Sequence, residues 1–179
     1  MSKTAGEIGK TILTVLGAIG IVAVAVMAPN MIQIFGKAGH YTNKQYKRSL
    51  SSLRNKKLVK IKESKGKLHI QLTRRGHKQL AYNNIYNIRL KKESKWDKKW
   101  RVIIFDIPVS HNKARDELTY LLKELGFKML QKSAWVCPWS CETEVEQITS
   151  VFQIDDFVKI ILANKIPDSQ KLEKYFGVT

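Results

Sequence analysis

The chain has 179 residues and carries 32 Lys and Arg against 15 Asp and Glu, a formal net charge of +17 at pH 7. This length suits one large domain or two small ones. Its two cysteines, Cys137 and Cys141, are too few for a disulfide framework and indicate a reducing compartment. The sequence shows no Gly-rich phosphate loop and no Ser/His/Asp order, which argues against nucleotide binding and a hydrolase triad.

The charge is distributed unevenly along the chain. Residues 1–99 contain 22 basic and 4 acidic residues, whereas residues 100–179 contain 10 basic and 11 acidic ones. Such a step predicts two modules with different partners. The basic module suits a polyanion, which is either nucleic acid or an anionic membrane surface.

An uncharged, apolar run extends from Ile12 to Ala28 and ends at Pro29. A bilayer span needs about 20 apolar residues and at least roughly 17, so length alone does not separate a membrane anchor from a buried helix. We favour a buried first helix, followed by a short second helix over residues 31–35, and keep membrane association through residues 12–28 as the alternative. If the run spans a membrane, the positive charge after it predicts that the rest of the chain is cytoplasmic. We expect a cytoplasmic location for a buried helix as well.

The next segment begins with a helix signal and continues as a hairpin. Thr42 and Gln45 have the spacing of a capping box, and an apolar stripe follows at Tyr46, Leu50 and Leu53. Apolar and polar residues then alternate over 59–62 and again over 68–72, with a Gly-containing turn between them, which predicts a β-hairpin. Thr73 is placed to cap a further helix.

This order of helices and a basic hairpin resembles a winged helix-turn-helix DNA-binding domain. In that motif the capped helix lies in the major groove and the hairpin touches the flanking backbone. The resemblance predicts DNA contacts from Lys44, Gln45, Lys47, Arg48, Ser51 and Arg54 on the helix, and from Lys65 and Lys67 at the tip of the wing. A solvated basic face without a particular partner is the alternative, and the concentration of charge favours DNA.

The remainder of the chain predicts a second domain. Residues 87–99 are strongly basic and without a clear period, which is typical of a linker, although Trp96 and Trp100 are expected to cover the edge of a core. The run 102–105 is typical of a buried strand, and it ends at Asp106. A carboxylate there is either a metal ligand or a cap for the next turn.

Alternation and periodicity after Asp106 predict two helices and three further strands. The first helix spans 110–125, strand material at 127–136 is split near 131–133, and Ser140 caps a second helix through Val145 and Ile148. A strand at 157–162 and a terminal helix at 169–176 complete the chain. The order β-α-β-β-α-β is the ferredoxin-like split arrangement. We therefore predict an α+β protein with a winged-helix domain over 1–86, a linker over 87–99 and a ferredoxin-like domain over 100–179.

Three segments of the second half carry a more specific resemblance. Val-Ile-Ile-Phe-Asp-Ile-Pro (102–108), Lys-Ala-Arg-Asp-Glu-Leu (113–118) and Leu-Gly-Phe-Lys-Met-Leu-Gln-Lys-Ser-Ala-Trp-Val (125–136) are similar to the CRISPR-associated Cas "two" endonuclease family. They are still more similar to the related central domain of the PaaX-like repressor family. The resemblance covers residues 96–165 and implies a transcriptional regulator whose ferredoxin-like domain forms a homodimer.

The nuclease relatives imply a second function for Asp106. In that family the matching Asp residues of two subunits face each other across the dimer axis and share Mg²⁺, which prefers hard oxygen ligands and keeps several waters. Arg115 and Ser133 match neighbouring polar positions of the motif, and we expect them to contact a phosphate. No other carboxylate has a spacing that suggests a ligand, so we favour the regulator and keep a Mg²⁺-dependent nuclease, or a spacer-acquisition subunit, as the alternative.

Overall fold

The computed structural model describes residues 3–25, 41–64, 67–93 and 95–178. The chain divides into two compact units, Met1–Asn84 and Ile85–Thr179. Both units mix helices with a sheet, so the protein is of the α+β class.

The first unit combines three described helices with a three-stranded sheet. Its elements are α1 (Lys3–Ile19), β1 (Ile21–Ala25), α2 (Asn43–Asn55), β2 (Val59–Ser64), β3 (Lys67–Leu72) and α3 (Arg74–Ile85). The strand order is β1-β3-β2, and both pairings are antiparallel. Buried side chains from α1, α2 and the hairpin form one core, which contains Ile12, Leu16, Tyr46, Leu50, Leu53, Val59 and Ile70.

The prediction of a single helix through Ile12–Ala28 is wrong. Helix α1 ends at Ile19, Gly20 adopts a left-handed φ of +81°, and residues 21–25 form strand β1, which pairs with β3. The physical reason is composition: glycine ends the helix readily, and the β-branched Ile and Val after it favour an extended chain. In the part of the run that is helical, Ile12 and Leu16 are fully buried.

This division bears on the alternative of a membrane anchor. Among the described residues, no helix is both long enough and apolar enough to cross a bilayer. Residues 26–28 of the run, and the helix predicted over 31–35, lie outside the described residues.

The other local predictions for the first unit are confirmed. The Thr42 side chain accepts from the Gln45 backbone, and the Gln45 side chain accepts from the Thr42 N–H at 2.7 Å, which completes the capping box. Strands β2 and β3 pair in register from Val59↔Leu72 to Ser64↔Lys67. Thr73 Oγ1 accepts from the Gly76 N–H at 3.0 Å at the start of α3.

The second unit is built on a four-stranded antiparallel sheet. Its elements are β4 (Trp100–Phe105), α4 (Asn112–Glu124), β5 (Lys128–Gln131), β6 (Ala134–Cys137), α5 (Glu142–Phe152), β7 (Val158–Ala163) and α6 (Ser169–Phe176), with 3₁₀ turns at Val109–His111 and Asp155–Phe157. The order β5-β6-β4-β7 places β6 between β4 and β5, and β4 between β6 and β7. Side chains of α4 and α5 pack with alternate residues of the strands, including Ile103, Phe105, Trp135 and Val158.

Most boundaries of these elements match the predictions, with one exception at α5. Ser140 does not cap this helix: Cys141 precedes it without a side-chain cap, and its N–H donates to the Glu142 carboxylate at 2.8 Å. The Ser140 hydroxyl instead accepts a hydrogen bond from Arg101 Nη2 at 3.1 Å. A long-range partner has therefore replaced the local one that the spacing suggested.

Arg101 is a buried cation inside an otherwise apolar strand, with 6% of its surface exposed. Its guanidinium forms a two-pronged contact with Asp97, at 2.7 Å from Nη1 to Oδ1 and 2.8 Å from Nη2 to Oδ2. Nη1 also donates to the carbonyl oxygens of Lys99 and Pro138, at 3.0 and 3.1 Å, and Nε lies 3.6 Å from a Glu142 oxygen. One side chain thus connects residues 97–99, β4, the turn before α5 and the first residue of α5.

This cluster shifts the acid–base properties of its carboxylate. The hydrogen bonds from the Arg101 guanidinium lower the pKa of Asp97 below its ordinary value. A carboxylate with a lowered pKa in the folded state stabilises the fold above its unfolded pKa, and this contribution is lost as the pH falls through the folded value.

We expect Arg101→Ala to destabilise the second unit by about 2 kcal/mol. Removing one partner of a buried ion pair costs roughly 3–5 kcal/mol, and the partial exposure of Asp97 reduces the cost here. Tryptophan fluorescence during denaturant unfolding measures it specifically, because all four tryptophans, Trp96, Trp100, Trp135 and Trp139, lie in this unit. The control is Arg115→Ala, whose exposed contact with Asp116 predicts a change within about 0.5 kcal/mol. Equal effects of the two variants would contradict this role of Arg101.

Candidate nucleic-acid interface and carboxylate cleft

Helix α2 separates its apolar and cationic residues onto opposite faces. Tyr46, Leu50 and Leu53 are buried in the core of the first unit. The residues of the other face are exposed, and they are Lys44, Lys47, Arg48, Ser51 and Arg54. The capping box fixes where this helix begins, and the apolar stripe fixes its rotation about its own axis. Together they determine which side chains point to solvent.

In the part of the chain that the structure describes, no acidic side chain neutralises the cations of this face. Lys44, Lys47, Arg48 and Arg54 form no ion pair with any residue in the described part of the chain. Residues 1–84 contain 16 basic and 2 acidic residues, Glu7 and Glu63, and neither acid lies in α2. The face is therefore strongly positive, as a surface that contacts phosphates must be.

The other residues predicted to contact DNA differ in their positions. Gln45 is half-buried, and its side-chain oxygen accepts from the Thr42 backbone at 2.7 Å and the Thr42 hydroxyl at 3.1 Å, so only its amide group remains for another partner. Lys67 begins β3, where it pairs with Ser64 of β2. Lys65 lies outside the described residues.

The second unit brings Asp106, Arg115 and Ser133 together around one depression. Asp106 is exposed where β4 ends, and its N–H donates to the Phe157 carbonyl at 3.0 Å. Ser133 is brought alongside because its carbonyl accepts from the Phe105 N–H at 3.1 Å. The depression has a volume of about 460 Å³, and its other lining residues are Phe105, Ile107, Thr119 and Lys132.

A second depression of about 480 Å³ shares Asp106 and Ser133 with the first and adds Asp156 and Lys159. The sequence reading missed Asp156 because 50 residues separate it from Asp106, and only the pairing of β4 with β7 brings the two segments together. Two carboxylates therefore line one surface, where spacing along the chain had suggested only one.

These residues fit a divalent cation incompletely. Among the described residues, no three His, Cys, Asp or Glu side chains form a group that could hold a metal ion. The cations Arg115, Lys132 and Lys159 line the same depressions, and they favour an anionic oxygen such as that of a phosphate. Mg²⁺ usually binds through one or two carboxylates together with waters and substrate phosphates. A Mg²⁺ site here would thus depend on a bound phosphate or a second subunit.

The family of the second unit follows from one comparison. Residues 93–174 match the family model of the PaaX protein central Cas2-like domain. The chain is a PaaX-like protein with a Cas2-like central domain. No curated protein matches the sequence. The match lies within the second unit and includes Asp106, Arg115 and Ser133, and it confirms the resemblance seen in the three segments between residues 102 and 136.

The two cysteines of this PaaX-like chain belong to the packed interior. Cys137 and Cys141 are both fully buried free thiols, and Cys137 Sγ lies 3.2 Å from the Trp139 carbonyl oxygen. Hydrogen bonding to Cys137 and burial raise the pKa of Cys141. Such thiols are poor nucleophiles, and structural zinc needs four ligands, so the pair is best described as core packing.

Arg101 is the residue of this PaaX-like domain whose importance sequence reasoning missed. Its sequence signal was present: a single arginine in an apolar strand has an Asp four residues earlier. The spacing is not informative by itself, because residues 97–99 are not helical and the contact depends on a bend in the chain. Lys98 supplies part of that bend with a left-handed φ of +63°.

Proposed function

We propose that this PaaX-like chain is a DNA-binding transcriptional regulator. The first unit acts as a winged helix-turn-helix domain, and the second is a ferredoxin-like module that dimerises. The observation that carries the proposal is the cationic face of α2, which forms no ion pair with a described residue and is directed to solvent by a buried apolar stripe. Membership in a regulator family agrees with it. We place this function in the cytoplasm, where reduced cysteines are the rule.

The topology of each unit supports its part in this proposal. In the first unit a capped helix precedes a β-hairpin, and Lys60 and Lys62 are exposed on the first strand of that hairpin. This order supports an arrangement in which a recognition helix enters the major groove and a wing follows the flanking backbone. In the second unit, the strand order and the alternation of strands and helices agree with the split β-α-β arrangement.

The triple variant Lys44→Gln, Lys47→Gln, Arg48→Gln tests the α2 interface. The logarithm of the affinity falls linearly with the logarithm of the salt concentration, and each phosphate contact contributes about 0.9 to the steepness of that line. Because the variant removes three cations, we expect the steepness to decrease by up to about 2.7. Fluorescence anisotropy with double-stranded DNA at several salt concentrations measures it. Circular dichroism should show an unchanged fold, because the three side chains are exposed.

The matched control for this variant is Lys123→Gln, Lys165→Gln, Lys174→Gln. It changes the net charge by the same amount, and it replaces exposed lysines of the second unit that form no ion pair with a described residue. An equal loss of slope in the control, or no loss in the α2 variant, would refute an interface on α2.

The proposed dimer uses the outer edge of β7. This strand ends the sheet with six residues, and Ile161 and Leu162 are 45% and 55% exposed. The opposite edge, β5, has four residues and a register irregularity between Met129 and Gln131. A long apolar edge without a bulge favours pairing with another chain, whereas a short bulged edge resists it.

We expect Leu162→Glu to convert a dimer into a monomer of 20.6 kDa. The charge would be desolvated and unpaired if the β7 edge were covered by a second copy. Sedimentation velocity measures the mass, and Leu130→Glu on the β5 edge is the control, because its side chain is similarly exposed at 42%. A monomeric wild-type chain, or a dimer that survives Leu162→Glu and not Leu130→Glu, would exclude the β7 interface.

A Mg²⁺-dependent nuclease, or a spacer-acquisition subunit, is the second candidate function. Asp106 and Asp156 line one depression together with Ser133 and Lys159, so carboxylate oxygens suited to a cation lie beside polar groups suited to a phosphate. The polar groups would hold a scissile phosphate beside a metal-activated water.

Under this alternative, cleavage of single- or double-stranded DNA with Mg²⁺ should disappear in Asp106→Asn and on chelation of the metal. Asp116→Asn is the control, because Asp116 is exposed on α4 and does not line either depression that contains Asp106. Cleavage that persists in Asp106→Asn would eliminate this site as its source.

A further inference from the structure

A segment that has the composition of a linker forms an ordered part of the second unit. We call residues 88–99 the basic strap; the structure describes all of them except residue 94. Ile88 and Leu90 pack against the main core of the unit. Trp96 is buried with Trp100, at 4.8 Å between ring centroids, and its indole N–H donates to the Lys99 carbonyl at 3.0 Å.

The C-terminal end of the strap is held in place by Asp97. Asp97 binds the buried Arg101 through both oxygens, and its Oδ1 accepts from the Lys99 N–H at 3.0 Å. The apolar residues of the strap therefore pack against the protein, and Asp97, although partly exposed, is paired with Arg101. The rest of its described surface carries Arg89 and five lysines against one exposed acid, Glu93.

Five lysines of the strap are exposed, namely Lys91, Lys92, Lys95, Lys98 and Lys99. None of them forms an ion pair with a residue that the structure describes. Two are directed by aromatic rings: Lys92 Nζ lies 4.9 Å from the Trp139 ring centroid and Lys98 Nζ lies 5.4 Å from that of Trp96. The strap differs in charge from the residues that follow it, because residues 100–179 are nearly balanced, with 10 basic and 11 acidic residues.

We propose that the basic strap is a second nucleic-acid-binding surface, which contacts the phosphate backbone independently of sequence. This inference rests on the proposed DNA binding and extends it to the second unit. The exposed lysines lie within nine residues, 91–99, and a chain of that length spans at most about 30 Å. The strap can therefore contact phosphates within one turn of B-DNA, which is about 34 Å long. Because packing already holds the backbone, binding does not have to order the segment, in contrast to a disordered basic tail.

The chemistry of the strap favours nucleic acid over a membrane surface. Binding at a lipid interface uses apolar side chains that insert below the headgroups, together with basic residues. In the described part of the strap the large apolar side chains, Ile88, Leu90 and Trp96, all pack into the protein. The exposed lysines thus offer charge without an apolar anchor, which is the pattern of a phosphate-backbone contact.

The test is the triple variant Lys91→Gln, Lys95→Gln, Lys99→Gln, made in the 179-residue chain. It removes three exposed charges and leaves in place Trp96, Asp97 and the two lysines above the aromatic rings. Anisotropy titrations use two duplexes of equal length and unrelated sequence at several salt concentrations. We expect the salt slope to fall by up to about 2.7 and the affinity to fall by the same factor for both duplexes. Tryptophan fluorescence unfolding should be unchanged.

The control Lys123→Gln, Lys165→Gln, Lys174→Gln removes the same charge outside the strap. An unchanged slope in the strap variant, or an equal fall in the control, would overturn the inference. If the α2 variant loses slope and the strap variant does not, the strap inference fails alone and the proposed function stands. If the intact chain binds neither duplex, both fail. Phosphatidylserine vesicles are the last arm: a strap variant that loses vesicle binding and keeps DNA binding would assign the strap to a membrane.

Discussion

The second unit depends on the pairing of one buried guanidinium. A charge removed from water is costly unless it is compensated, and the two terminal nitrogens of Arg101 donate to Asp97, two carbonyl oxygens and the Ser140 hydroxyl. Its Nε lies 3.6 Å from a Glu142 oxygen and has no hydrogen-bond partner among the described residues. The partners of the terminal nitrogens come from the strap before β4 and from the turn before α5. Satisfying a single side chain therefore constrains segments up to 39 residues apart in the chain, and it orders the strap that carries the exposed lysines.

The first unit differs from the second because its surface carries a large excess of positive charge. With 16 basic and 2 acidic residues in 1–84, ion pairing within the unit cannot neutralise it. The apolar stripe of α2 and its capping box hold the helix without using its cations, so the charges remain available to a polyanion. Stability and binding are thus supplied by opposite faces of one helix.

Local signals predicted most of the helices and strands, and the errors have physical causes. Thr42 and Gln45 were identified correctly because a capping box requires only residues three apart. The helix through Ile12–Ala28 was wrong because an uninterrupted apolar run has no period, and β-branched residues after Gly20 can join a sheet once a partner strand exists. Ser140 was expected to cap α5 because its competitor, Arg101, lies far away in sequence. The basic, aperiodic composition of residues 87–99 predicts a linker. Composition does not reveal that Trp96 packs in a core and that Asp97 pairs with Arg101.

The sequence by itself determined the two-part charge distribution, the cationic face of α2, the order of strands and helices in the second half and the resemblance to the PaaX-like central domain. All of these depend on composition, short spacings or motifs contained within a single element. Only the tertiary structure decided that Asp106, Arg115 and Ser133 line one depression, that Asp156 joins Asp106 in the next, and that Arg101 holds the strap to the sheet. These arrangements arise from strand pairing and from the compensation of a buried charge, which join residues that are distant in the chain and follow no local period.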